Sequence, residues 1–243
     1  MAPVKILAAS GGFLPSDHGP FQWRRGPLVE HAIALAATPE RPRVCHIGTA
    51  QGDSLNGIAG FYRAFAGSDA RASHLELFPM PNVADVRAHL LAQDVIWVSG
   101  GSVANVLAVW RVHQLDDILR EAWHAGVVLA GVSAGSICWH VGGTTDSFGL
   151  DLQAVTNALA FLPYGNGVHY DSEPGRRPLL HRLVADRTLP TSYATDDGVG
   201  LVYEGTELVE AVADRPGVAA YKVELGSDGD VVETRIEPRL LAG

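Results

Sequence analysis

Cysteine is nearly absent from this chain of 243 residues; Cys45 and Cys138 are the only two, both in stretches that read as buried. A disulfide framework is not indicated by so few, and no Cys pair has zinc-type spacing, so no metal is expected. Basic residues are scarce as well: 18 Lys and Arg stand against 27 Asp and Glu, a formal net charge of -9. Nucleic-acid affinity rests on Lys and Arg neutralising phosphates, so no nucleic-acid partner is expected. The acidic balance supports solubility and identifies no substrate. Long apolar runs are missing too. No stretch approaches the roughly 18–20 residues that cross a bilayer, which argues against a membrane partner. The first ten residues lack the charged start and apolar run of a secretory signal, and the cytoplasm is the default location.

What is present is an ordinary globular composition, 47% apolar and 19% charged, which argues against intrinsic disorder. Short apolar runs alternate with amphipathic stretches. Strands are expected at Val4–Ala8, Arg43–Ile47, Ala72–Leu77, Asp94–Val98 and Val127–Ala130. Helices are expected at Pro27–Ala37, Leu55–Ala66, Val83–Leu91 and from about residue 103 to His124. This β-α rhythm predicts an α/β fold, a mostly parallel, doubly wound sheet with helices on both faces. After about residue 150 short strands follow at Gly198–Tyr203, Leu208–Val212, Val218–Val223 and Val231–Ile236, parted by turn pairs such as Glu204-Gly205 and Asp228-Gly229. They predict an antiparallel C-terminal extension at one sheet edge. No Pro-, Gly- or Ser-rich linker, charge block or repeat interrupts the chain, so one domain over residues 1–243 is expected.

The most informative segment is Val127-Val128-Leu129-Ala130-Gly131-Val132-Ser133-Ala134-Gly135. An apolar strand runs into Gly-x-Ser-x-Gly and then into a helix. A nucleophile on so sharp a turn sits in a strained backbone, and small residues two positions away on each side avoid collisions. The N–H of Ala134 then faces a substrate oxyanion, aided by the N-terminal end of the helix. The bland alternative is a glycine-rich turn whose serine caps a helix. A second glycine turn, Ser99-Gly100-Gly101-Ser102, ends the preceding strand. Ligands in open α/β sheets bind beyond that edge, so the N–H of Gly101, or of Ser102, is a second oxyanion donor or merely part of a tight turn.

A nucleophilic serine needs a base, usually His, and an acid to orient it. Ten histidines are present. His169 stands out, in the loop-rich stretch Gly165-Asn166-Gly167-Val168-His169-Tyr170-Asp171, while His181 reads as helical and weaker. For the acid, Asp146 follows the elbow helix in Gly142-Gly143-Thr144-Thr145-Asp146, and Asp171, Asp196 and Asp197 are alternatives between which spacing does not choose.

Strand-Gly-Gly, then Gly-x-Ser-Ala-Gly, then Thr-Thr-Asp, then a His in a polar loop resembles peptidase family S51, which includes an aspartyl dipeptidase, peptidase E, and cyanophycinase. The likeness runs from the first strand through Asp197. It implies Ser133 as nucleophile, His169 as base, Asp146 as acid, and Gly101 and Ala134 as oxyanion donors. It implies a sheet like that of class I glutamine amidotransferases, which use Cys where this chain has Ser133, and a hydrolase without cofactor or metal, monomer or homodimer. An Arg beyond the catalytic His binds the substrate Asp in peptidase E. Here Arg176 and Arg177 stand closer to the His than that pattern suggests, and two exposed Arg at a helix start are the plain alternative. The family commonly has Gly-Gly-Asn where this chain has Gly100-Gly101-Ser102, which spares a backbone donor but not a side-chain contact. Short peptides, above all dipeptides with an N-terminal Asp, are the implied substrates.

Three other readings compete. A cyanophycinase-like isoaspartyl peptidase would share the site. A non-catalytic protein could hold a small ligand or peptide in the same crevice. An ordinary α/β-hydrolase esterase shares the elbow, but its His comes late in the chain, and here none follows His181.

Overall fold

The computed structural model describes residues 3–16, 19–37 and 40–242, with side chains left aside at 19–22. His18 lies outside the described residues. The elements run β1 (Lys5–Ala9), β2 (Phe13–Ser16), β3 (Gly19–Arg25), α1 (Pro27–Leu35), β4 (Arg43–Ile47), α2 (Leu55–Phe65), β5 (Arg71–Leu75), α3 (Val86–Leu91), β6 (Val95–Val98), α4 (Val103–Val112), α5 (Leu115–His124) and β7 (Val128–Val132). There follow α6 (Ala134–Ile137), β8 (Gly142–Thr145), β9 (Gln153–Val155), β10 (Gly165–Gly167), α7 (Arg176–Ala185), β11 (Ser192–Thr195), β12 (Val199–Glu204), β13 (Glu207–Ala213), β14 (Ala220–Leu225), β15 (Val231–Ile236) and β16 (Arg239–Leu240).

The main sheet has the order β16-β13-β12-β1-β7-β6-β4-β5. Strands β1, β7, β6, β4 and β5 are parallel, and β12 joins β1 antiparallel. Side chains alternate between faces with the pleat. Ile6, Ala8, Ile96, Val98 and Leu129 enter one apolar cluster, with α4 and α5. Leu7, Ala9, Val95, Trp97, Val128 and Ala130 enter the other, with α1 and α2. The strands are therefore apolar almost throughout, as strands covered on both sides must be. The chain steps outward from β1 to β4 and β5 with α1 and α2 on one face, then returns through α3, α4 and α5 on the other. That reversal brings the carboxyl ends of β1, β7, β6 and β4 to one crevice, where such sheets bind ligands.

Three features depart from expectation. The stretch to His124 is two helices, broken at Gln114, whose φ is 57°. Strands β2 and β3 pair antiparallel with each other, outside the main sheet, and β3 packs on α2. The late strands divide: β12 and β13 extend the main sheet, whereas β14 and β15 belong to a second, six-stranded sheet, β15-β14-β11-β10-β8-β9. That sheet contributes Val155, Tyr193 and Ala220 to the first cluster, so the two sheets share a core. Its inner strands contain Gly142, Gly143, Gly165 and Gly167 and carry little apolar periodicity.

The elbow explains its own glycines. A Cβ on Gly131 would lie 2.4 Å from the Gly135 carbonyl oxygen, and one on Gly135 would lie 2.3 Å from that of Val98. Backbone cannot yield as a flexible side chain can. Gly135→Ala is expected to cost about 3 kcal/mol or more, by overpacking with no soft neighbour. Urea unfolding beside the wild type measures it; a midpoint unchanged would show that the turn relaxes freely.

Candidate active site

Ser133 sits between β7 and α6 with φ 57° and ψ −111°, a conformation costly for any residue with a Cβ. The chain around it holds that strain. Its N–H donates to the Ala9 carbonyl at 3.0 Å, and its own carbonyl accepts from Ser136 and Ile137 at 2.8 and 2.9 Å. The helix that follows is only the four residues of α6. A full helix dipole is therefore not on hand, and the candidate donor at this turn is the N–H of Ala134, which as first helical residue has no intrahelical acceptor.

The turn after β6 passes close by. A Cβ on Gly100 would stand 3.2 Å from Ser133 Cβ. Gly101 has φ 130°, and a Cβ there would fall 2.3 Å from the Ala50 carbonyl oxygen. Of the two candidate donors in this turn, Ser102 spends its N–H on that same oxygen at 2.9 Å, while its side chain caps α4 through the Asn105 N–H. Gly101 is left as the candidate in this turn.

His169 lies in the same cavity as Ser133, a cleft of about 1000 Å³ that Asp197 also lines. Its Nδ1 is 2.5 Å from Asp197 Oδ1. Its backbone, at φ 53°, donates N–H to Ser10 Oγ at 3.1 Å, and Ser10 is locked to Thr195 Oγ1 at 2.6 Å. The Asp197 N–H in turn donates to Asp171 Oδ1 at 2.8 Å. An acid, an imidazole and a strained serine thus share one crevice, and each is held by backbone contacts. Asp214 lines the same cleft; burial raises its carboxyl pKa, Arg215 opposes the rise and Asp197 adds to it. Arg63 and Arg215 are the arginines lining the cleft among the described residues.

The sequence of residues 23–211 matches the model of "Peptidase family S51". The chain belongs to peptidase family S51. This S51 chain is 45% identical over 195 residues, 80% of its length and 84% of the relative's, to the uncharacterized peptidase YgaJ of Bacillus subtilis (strain 168). Among solved structures it resembles a peptidase from an acI-B1 Actinobacterium, with TM-score 0.65 and 18% identity over 97% of this chain and 95% of that one. It also resembles a putative peptidase E protein from Listeria monocytogenes EGD-e, with TM-score 0.60 and 16% identity over 97% and 100%. These two likenesses concern the fold alone, an α/β fold with a large, mostly parallel sheet. The protein is a peptidase.

Within this S51 peptidase three expected site residues fall elsewhere. Asp146 does not meet His169. Its side chain is 63% exposed, 3.9 Å from Arg176 Nη2, and borders a separate hollow of about 540 Å³ with Leu150 and Glu173. The strand β8 carries it into the second sheet, away from the crevice. Arg176 is 2% exposed, bonded to Glu173 at 2.8 Å and to the Thr144 carbonyl. Arg177 pairs with Glu233 at 2.6 Å and lies over the rings of Tyr170 and Tyr221. Neither arginine faces the cleft; both fix α7 to its neighbours. Arg176→Ala is accordingly expected to lower stability by about 3 kcal/mol, through a void and an orphaned carbonyl, while KM for peptides stays within about twofold. A large rise in KM at unchanged stability would return Arg176 to the substrate.

The other acids have assigned places as well. Asp196 is buried and accepts from the Ala219 N–H at 2.9 Å, and burial raises its pKa. His181 pairs with Glu233. His140 is buried behind the elbow against Ser136 and Tyr203, and burial lowers its pKa to about 4. Both cysteines are buried, and burial raises the Cys45 thiol to about 12. Ser10 and Asp171 as supports of His169 and Asp197 were not foreseen. Their signal is only positional, since Ser10 ends β1 beside the elbow strand. No described helix is long and apolar enough to cross a membrane, and no described group of three or more His, Cys, Asp or Glu could hold a metal ion.

Proposed function

We propose that this peptidase is of the serine type and hydrolyses short peptides through a Ser133–His169–Asp197 triad. The observation that carries this reading is the 2.5 Å contact of His169 with Asp197 in the cleft that holds the strained Ser133. His169 takes the Ser133 proton as Oγ attacks the scissile carbonyl. Asp197 holds the imidazole in the tautomer that presents Nε2 to the serine and offsets the imidazolium charge. The N–H groups of Gly101 and Ala134 receive the oxyanion. His169 then protonates the leaving amine, the C–N bond breaks, and water, deprotonated by His169, releases the acyl group and restores Ser133. The nearest elements supply positioning: Ser10 fixes the His169 backbone and Asp171 that of Asp197.

The N-terminal Asp implied by the family resemblance loses its readers, because Arg176 and Arg177 are engaged elsewhere. Arg63 or Arg215 would have to meet that carboxylate. Asp-Leu is therefore one substrate among several in the test. A fluorophosphonate probe is expected to label the protein at Ser133, and Asp-Leu, Leu-Leu and an N-blocked control distinguish the peptides cut. Absence of both labelling and cleavage would favour a binding protein built on the same crevice.

A further inference from the structure

The two ends of the cleft differ in chemistry. His169 is anchored through Ser10 at the end of β1, and Asp197 precedes β12. Strands β1 and β12 lie on one side of the elbow strand β7, and β6 and β4 lie on the other. The leaving amine has to receive its proton from His169, so the leaving residue sits over β1 and β12. The acyl residue, N-terminal to the scissile bond, then extends over β6 and β4. This argument rests on the serine-peptidase reading above.

That acyl end is aromatic. Trp97 of β6 and Phe61 of α2 are 1% and 3% exposed in its floor, and Trp23, half exposed, forms its rim. A Cβ on Gly60 would meet the Trp23 ring at 2.7 Å, so α2 is cut away to seat the indole. Beyond the aromatic surface are two polar groups without partners. Both ring nitrogens of His46 and Ser99 Oγ are buried and make no hydrogen bond among the described residues. His46 is stacked on Phe61 with ring centroids 5.0 Å apart, and its residue is 6% exposed. Burial, with His74 adding to it, lowers its pKa to about 4, so the ring is a neutral donor and acceptor. Buried polar groups left unpaired are uncommon and costly. A ligand group that reaches them supplies what the fold omits.

We propose that this end is the acyl-side specificity pocket and takes a large aromatic side chain with a neutral hydrogen-bonding tip, a tyrosine phenol. The ring packs between Trp23 and Trp97, and the phenol meets His46 and Ser99. Length favours such a residue. Strand β4 lies two strand spacings from β7, roughly 10 Å, which an aspartate side chain does not span. Charge disfavours aspartate as well, since a carboxylate on this floor would be desolvated against a neutral imidazole. A pocket built to bond a hydroxyl discriminates strongly against the analogue that lacks it.

The test compares Tyr-Leu, Phe-Leu and Asp-Leu on wild type, His46→Phe and Ser99→Ala. For wild type kcat/KM is expected to be about tenfold or more higher with Tyr-Leu than with Phe-Leu, and higher still relative to Asp-Leu. The Tyr-to-Phe ratio should fall toward one in His46→Phe and fall partly in Ser99→Ala, which also covers the case that the larger substitution fails to fold. Calorimetric binding of the same dipeptides to Ser133→Ala separates the pocket from the chemistry. Selective Tyr-Leu binding without wild-type turnover keeps the pocket and discards the peptidase mechanism. Equal handling of Tyr-Leu and Phe-Leu, a preference for Asp-Leu, or a ratio unmoved in both variants would overturn the proposal.

Discussion

Replacing Ser133 by Ala is expected to lower kcat by about 10⁴-fold or more, with the fold intact. The size follows from the chemistry. Without Oγ no acyl-enzyme forms, and only oxyanion binding and orientation remain to help water attack. The fold should survive because the substitution keeps the Cβ that the positive φ of 57° already accommodates. The backbone bonds from Ser133 to Ala9, Ser136 and Ile137 do not involve the side chain. Steady-state hydrolysis and the unfolding midpoint, read on one preparation, decide it. Turnover within tenfold of wild type would remove Ser133 from the mechanism.

Asp197→Asn should cost about 10³- to 10⁴-fold in kcat, whereas Asp146→Asn should change it by less than about twofold. An amide at position 197 keeps the shape but can donate to Nδ1, which turns the imidazole to the tautomer unable to take the serine proton. The contact at stake is the 2.5 Å bond of His169 to Asp197. Asp146 has no such contact and is mostly exposed beside Arg176. Substitution of Asp171 by Asn should give an intermediate loss, since it would still accept from the Asp197 N–H through its amide oxygen. The three variants assayed together rank the acids, and an Asp146 effect larger than the Asp197 effect would reverse the assignment.

Much of this was legible in the residues themselves. The elbow could be read because its demands are local: a strand, two glycines and a serine within five positions, each required by a collision the neighbouring backbone would otherwise cause. The parallel sheet was legible because strands covered on both faces are apolar throughout and alternate with helices. The second sheet was not. Its inner strands are short and glycine-rich, and β14 and β15 have the hairpin pattern of an edge extension whichever sheet receives them.

The acid shows the division most clearly. Asp146, Asp171, Asp196 and Asp197 are four carboxylates of one composition class, and nothing in their spacing ranks them. What separates them is where β8, β11 and β12 run, which depends on strand pairings between residues dozens of positions apart. The same holds for Arg176 and Arg177, whose partners Thr144 and Glu233 come from distant elements. The sequence by itself determined the family, the α/β sheet and the turn bearing Ser133, because those rest on contacts within a few residues or on periodicity along one strand. Only the tertiary structure decided that Asp197 faces His169, that both arginines brace α7, and that His46 and Ser99 lie without partners among the described residues at the aromatic end of the cleft, because each depends on which distant segments the shared core draws together.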